Sequence, residues 1–154
     1  MDVKHINPFI DSCLNIMPQL GFKDIKKQGI SIKEKTINSL GVMLTLGLVG
    51  DIKGVVSYSF HEGSAKNIAS IMMMGLPVIS LDDMAQSALL ELSNMLTANA
   101  STNFSRIGIN VNISTPTLMY GGNFQTKINI DKILCINVLV DDMPMEINIA
   151  FENI

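Results

Sequence analysis

The feature that most constrains the fold of this sequence is a repeated order of segments, in which a helical stretch followed by strand-like stretches occurs twice, with one more helical stretch between. The first helix is read from Asn7 as N-cap, with Pro8 at the first helical position, where its missing N–H costs nothing. Phe9, Ile10, Cys13, Leu14 and Met17 recur at the spacing of one apolar helical face. The helix should run to about Leu20 and stop at Gly21, which tolerates the left-handed conformation. Between Ile25 and Phe60 the chain is rich in Val, Ile, Thr and Tyr and is broken at Asn38-Ser39-Leu40-Gly41 and at Gly50-Asp51, which predicts three antiparallel strands. In the third, Val56, Tyr58 and Phe60 alternate with Val55, Ser57 and Ser59, the period of a half-buried sheet.

A second helix starts at Glu62 or Ser64, carries Ala65, Ile68, Ala69, Met72 and Met73 on one side, and is closed by Gly75 and Pro77. A longer helix is predicted from about Asp82 to Arg106. After Gly108 the pattern is strand-like again, giving three strands, with a hairpin turn at Gly121-Gly122 and another turn at Asp141-Asp142. In the last strand Met145, Ile147, Ile149 and Phe151 alternate with Glu146, Asn148, Ala150 and Glu152, which predicts one wet face. The whole reads as one α+β domain over residues 1–154, built of two pseudo-repeated halves, about 1–75 and 82–154, with an antiparallel sheet and three main helices.

Composition narrows the function. With 154 residues, 47% of them hydrophobic, the chain can bury one substantial core. A net charge of −3 with a single arginine, Arg106, provides no basic stripe for a phosphate backbone, so nucleic acid is not an expected partner. The longest apolar runs, Val42 to Val49 and Ile133 to Val140, are about half of the ~20 residues that a membrane helix needs, so no membrane segment is expected. Residues 1–10 include Asp2, Lys4, His5 and Pro8 and lack the basic start and apolar core of a secretory signal, so the expected location is the cytoplasm. Cys13 and Cys135 are too far apart in sequence for a metal knuckle and are read as small buried apolar residues. His5 and His61 are isolated, and no metal site of the chain's own is predicted.

The long helix is the candidate chemical element. At 100° per residue, Ala85, Ala88, Leu89, Leu92, Met95 and Leu96 fall in one arc, which should face the core. The opposite arc holds Ser87, Glu91, Asn94, Ala98 and Ser101, so that a carboxylate and a carboxamide stand side by side between small neighbours. Met84 and Leu90 border this arc, where apolar residues can rim a docking site. A Glu and an Asn three apart on a helix are by themselves what any solvated face shows. The eleven Met residues could line an adaptable pocket for a small molecule, but in a chain so rich in Ile they read as core filler.

The segment Ser87-Ala-Leu-Leu-Glu91-Leu-Ser-Asn94, followed at Pro116 by Ile113-Ser-Thr-Pro-Thr, resembles the signature of the CheC/CheX/FliY phosphatases: Asp or Ser, three residues, Glu, two residues, Asn, and a proline about twenty-two residues later. Here twenty-one residues separate Asn94 from Pro116. Ile6-Asn-Pro-Phe-Ile and Ala69-Ser-Ile-Met-Met-Met-Gly75 also look like their CheX counterparts, so the resemblance spans nearly the whole chain. Aligning the first helix on the long one sets Asn15 against Asn94, Ser12 against Glu91 and Pro8 against Ser87. The first half therefore lacks the carboxylate, which implies one active helix and the CheX rather than the CheC type.

The resemblance implies a phosphatase acting on the aspartyl-phosphate of a CheY-like chemotaxis response regulator. Asn94 would orient the attacking water, Glu91 would engage a cation on the receiver, and Ser87, Met84, Leu90, Ala98 and Pro116 would shape the binding face. The family's chemistry implies no cofactor of the chain's own, since the phosphorylated receiver supplies its divalent metal, Mg2+. It also implies a homodimer, with the apolar late strands as the pairing edge. The alternative is a non-catalytic module of the same fold that binds a receiver or a flagellar switch protein.

Overall fold

A computed structural model describes residues 3–152. Met1 and Asp2 of the expected non-secretory N-terminus, and Asn153 and Ile154 of the expected domain, lie outside the described residues. In chain order the elements are α1 (Asn7–Ile16), β1 (Ile25–Lys33), β2 (Thr36–Asn38), β3 (Val42–Gly50), β4 (Gly54–Phe60), α2 (Glu62–Met72), α3 (Asp83–Arg106), β5 (Val111–Ile113), β6 (Thr117–Tyr120), β7 (Gln125–Lys127), β8 (Ile133–Val140) and β9 (Met143–Phe151). The main sheet is antiparallel, in the order β1-β8-β9-β4-β3-β5, with β6 also on β3, and β2 pairs with β7 in a separate ribbon. The fold is thus α+β, as the sequence predicts. From β1 to β5 the order runs one strand that precedes α3, two that follow it, two that precede it and one that follows it.

The core forms where the helices close one face of this sheet. Leu44, Leu46, Val56, Tyr58 and Phe60 from β3 and β4, and Ile136, Ile147 and Ile149 from β8 and β9, pack against Phe9 and Cys13 of α1, Ile68 of α2 and Leu89, Leu92, Leu96 and Phe104 of α3. Phe9, Phe104 and Phe151 meet at centroid distances of 5.6–6.5 Å. Both cysteines are buried, as expected, and burial pushes the Cys13 thiol up to about 12, so it is an apolar packing residue with little thiolate character.

Several local expectations are corrected. Asn7 is not the N-cap of α1: the preceding turn, Val3–His5, is a 3-10 helix, and Ile6 occupies the cap position without a side-chain bond. The end of that helical stretch, Met17–Leu20, also tightens to 3-10, and Gly21, at φ 108°, stops it as predicted. The first strand-rich stretch holds four strands, because Lys35, at φ 54°, turns the chain between β1 and β2. The second holds five rather than three. Gly121-Gly122 does not close a hairpin, because β6 pairs with β3 while β7 pairs with β2.

The single wet face of β9 and the half-buried face of β4 are corrected too. Ile37, Met43, Ile133 and Ala150 form a second small core on the far side of the sheet, with Phe124, Ile128 and Ile130 packed against it. Asn148, Ser57 and Ser59 are buried there, and Ser59 accepts a hydrogen bond from the Leu40 amide at 2.9 Å. The expected turn at Asp141-Asp142 is present. Both residues have positive φ, as a two-residue hairpin requires, and the Asp141 carboxylate accepts from the Lys23 and Asp24 amides at 2.9 and 2.7 Å. The late strands β8 and β9 cannot offer a pairing edge, because each is hydrogen-bonded on both sides; the long free edge belongs to β1. Among the described residues no helix is long and apolar enough to cross a membrane.

Candidate active site on the third helix

The direction of α3 is fixed at its start. Asp82 is extended and its carboxylate accepts from the Ala85 amide at 2.9 Å, satisfying one of the donors that a helix leaves unpaired in its first turn. Arg106 in the last turn complements the opposite end of the helix dipole. Replacing Asp82 by Ala should cost about 1 kcal/mol of stability without changing the fold, measurable as a lower urea midpoint at constant slope.

The buried stripe of α3 is wider than apolar periodicity predicts. Ala85, Leu89, Leu92 and Leu96 are buried as expected, while Ala88 and Met95 are only half-buried. Ser93, Thr97, Ala100, Asn103 and Phe104 complete the stripe. The two hydroxyls can be buried because each is bonded: Ser93 donates to the Leu90 carbonyl at 2.8 Å, and Thr97 donates to the Ser93 carbonyl at 2.7 Å and meets the Tyr58 hydroxyl at 2.9 Å. The Asn103 amide donates to the Pro8 carbonyl at 3.0 Å, tying α1 to α3.

Opposite this stripe lies the predicted polar arc. Ser87, Glu91 and Ala98 are exposed and Asn94 is half-buried among them. Glu91 and Asn94 are one turn apart, and among the described residues neither side chain has a hydrogen-bond or ion-pair partner. Ser101 does not extend the arc, since its hydroxyl donates to the Val111 carbonyl and ties the helix to β5. Met84 is exposed at one edge, whereas Leu90 at the other is half-buried and packs against the core.

Met84, Ser87 and Glu91 line one open groove of about 490 Å3 with Met72, Met73, Asp83 and Ala88. The sequence reading missed Met72, Met73 and Asp83. The run Met72-Met73-Met74 at the end of α2 carries the signal, but methionine periodicity there also fits a core face. Pro116 is half-buried in the connection between β5 and β6, which Ser114 fastens to β3: its hydroxyl accepts from the Gly47 amide at 2.7 Å and its amide donates to the Gly47 carbonyl at 2.9 Å. Pro116 does not line the groove.

The aligned positions on α1 present a different surface. Ser12 is 1% exposed and its hydroxyl donates to the Leu96 carbonyl, and Pro8 is buried as well. Only Asn15 is exposed. Ser12 is therefore a helix-packing residue, not a carboxylate position lost from an open face.

The three helices on an antiparallel sheet give this chain the fold of CheC-like superfamily proteins. A CheC-like superfamily protein from Shewanella sp. PV-4 superposes with a TM-score of 0.87 at 28% identity, over 99% of this chain and 100% of that one. The chain belongs to the CheX family: residues 42–138 match the family described as chemotaxis phosphatase CheX. It is 30% identical over 132 residues to the CheY-P phosphatase CheX of Thermotoga maritima, with 82% of each chain covered. It also shares its fold with the CheX of a CheX–CheY–BeF3–Mg2+ complex from Borrelia burgdorferi, with a TM-score of 0.80 at 24% identity over 97% of this chain and 98% of that one.

Proposed function

We propose that this chain hydrolyses the aspartyl-phosphate of a CheY-type response regulator in the cytoplasm by seating the open face of α3 against the receiver's phosphorylation site. The observation that carries this reading is the pair Glu91 and Asn94, one turn apart and unengaged on the solvent side of a capped helix. Membership of the CheX family supports it. The divalent cation that neutralises the phosphoryl oxygens is the receiver's own, so this chain needs only to complete the arrangement around the phosphorus. The Asn94 carboxamide accepts a hydrogen bond from water and holds it in line for attack without itself titrating. Water adds to phosphorus as the bond to the aspartyl oxygen breaks, which leaves inorganic phosphate and a free carboxylate on the receiver.

Glu91 acts beside it as a docking residue that meets a cation of the receiver and sets the register of the helix. Ser87 and Ala98, small and exposed on the same arc, leave room for the partner's backbone. Pro116 shapes the connection between β5 and β6, one strand beyond α3. We further expect a homodimer joined along the free edge of β1, where Ile30 and Ile32 are exposed.

The test of the reading is phosphate release from a phosphorylated CheY-type receiver with and without the chain. Accelerated release supports a phosphatase; tight binding with unchanged release would mean a non-catalytic module. Glu91→Lys should raise the Kd for the phosphorylated receiver at least about tenfold by like-charge repulsion while the thermal midpoint stays put, because position 91 is exposed. A mutant that unfolds would show that the arc is structural.

A further inference from the structure

The groove beside Glu91 has walls that the proposed chemistry does not use. Met72 ends α2 and Met73 caps it, while Asp83, Met84, Ser87, Ala88 and Glu91 belong to the first three turns of α3. The connection between the two helices adds further exposed apolar side chains: Met74 is 98%, Leu76 55% and Ile79 89% exposed, and Met84 is 63% exposed. Val78 and Leu81 of the same connection pack into the core, so the segment is anchored and does not hang free. An apolar cluster of this kind next to a functional helix is unusual on a surface facing only water.

Two features of the groove indicate its occupant. Ser87 and Glu91 are themselves part of its lining, and Met84 is seven residues from Glu91, or about 10 Å along the helix axis. A protein partner buries about 800 Å2 of a surface of this kind, so a partner seated at Glu91 and Asn94 also covers the groove. The lining also carries carboxylates and no cation: Asp83 stands at one end and Glu91 at the other, while the Asp82 carboxylate beside it is occupied by the helix cap. Methionine walls adapt to the shape of a side chain inserted between them.

We propose that this methionine-walled groove between α2 and α3, extended by the exposed connection of residues 74–79, receives an apolar side chain of the receiver domain that is flanked by a basic group facing Asp83 and Glu91. The assignment rests on the function proposed above and makes the groove a specificity surface, which selects the receiver while Asn94 acts on its phosphoryl group.

The experiment is a titration of a beryllofluoride–Mg2+-loaded CheY-type receiver with wild-type chain, with the triple variant Met74→Ser, Ile79→Ser, Met84→Ser, and with Met119→Ser as a control, each checked for self-association by sedimentation. Met84 lines the groove and Met74 and Ile79 stand on the adjoining connection; all three are exposed, so the variant should fold normally. Met119 is exposed on β6, away from the groove, and its replacement should leave the Kd unchanged. The triple variant is expected to bind at least about tenfold more weakly. If wild-type chain binds the beryllofluoride-loaded receiver and releases phosphate from the phosphorylated one, and the triple variant binds equally well, the groove assignment alone is overturned. Loss of self-association in the triple variant with full receiver binding would place a second copy in the groove and overturn it as well. If wild-type chain neither binds nor dephosphorylates, the proposed function fails and takes the groove assignment with it.

Discussion

Replacing Ser12 by Glu should destabilise the protein by about 3–5 kcal/mol and create no second active site, although it restores the letters of the motif on α1. Ser12 is 1% exposed and its hydroxyl donates to the Leu96 carbonyl, at the contact of α1 with α3. A carboxylate at that position would lose its hydration among Phe9, Cys13 and Leu96, and no cation stands among the contacts described there to compensate it. Relief would require moving α1 off α3, which also breaks the bond from Asn103 to Pro8. Since marginal stability is only about 5–15 kcal/mol, the expected loss is a large part of the total. Urea unfolding at constant slope measures it. A variant as stable as wild type, with doubled turnover per chain, would show that the first half carries an intact docking face.

The contrast between Ser12 and Glu91 also shows what was legible in the sequence. Helix positions, the stop at Gly21 and the turn at Asp141-Asp142 follow from local rules of backbone geometry and are found where expected. The polar arc of α3 is readable for the same reason, because a 3.6-residue period places Ser87, Glu91, Asn94 and Ala98 together whatever surrounds them. Which face a polar residue occupies is a tertiary matter. Ser93, Thr97 and Ser12 look like surface residues but are buried, because each hydroxyl finds a carbonyl within reach. The second small core was illegible because Ile37, Met43, Ile133 and Ala150 come from four separate strands, and the β2–β7 ribbon that covers them is only three residues long on each side. The groove was missed because Met72 and Met73 meet Met84 only once α2 is folded against α3.

Replacing Asn94 by Ala should lower phosphate release by roughly 10²–10³-fold, or about 3–4 kcal/mol in activation free energy, by removing one preorganised polar contact to the reacting centre. The same change should alter stability by less than about 0.5 kcal/mol, since Asn94 is half-buried on the outer arc, bonds nothing among the described residues, and Ala favours the helix. Receiver affinity should change little, because Glu91 and the groove remain. Chemistry, docking and folding therefore separate at this residue. The most direct measurement is single-turnover phosphate release from a phosphorylated CheY-type receiver saturated with wild-type or Asn94→Ala chain of matched circular dichroism. A fall of about a hundredfold or more at unchanged affinity is the predicted result. A variant that keeps more than about a tenth of the wild-type rate would contradict the water-positioning role of Asn94.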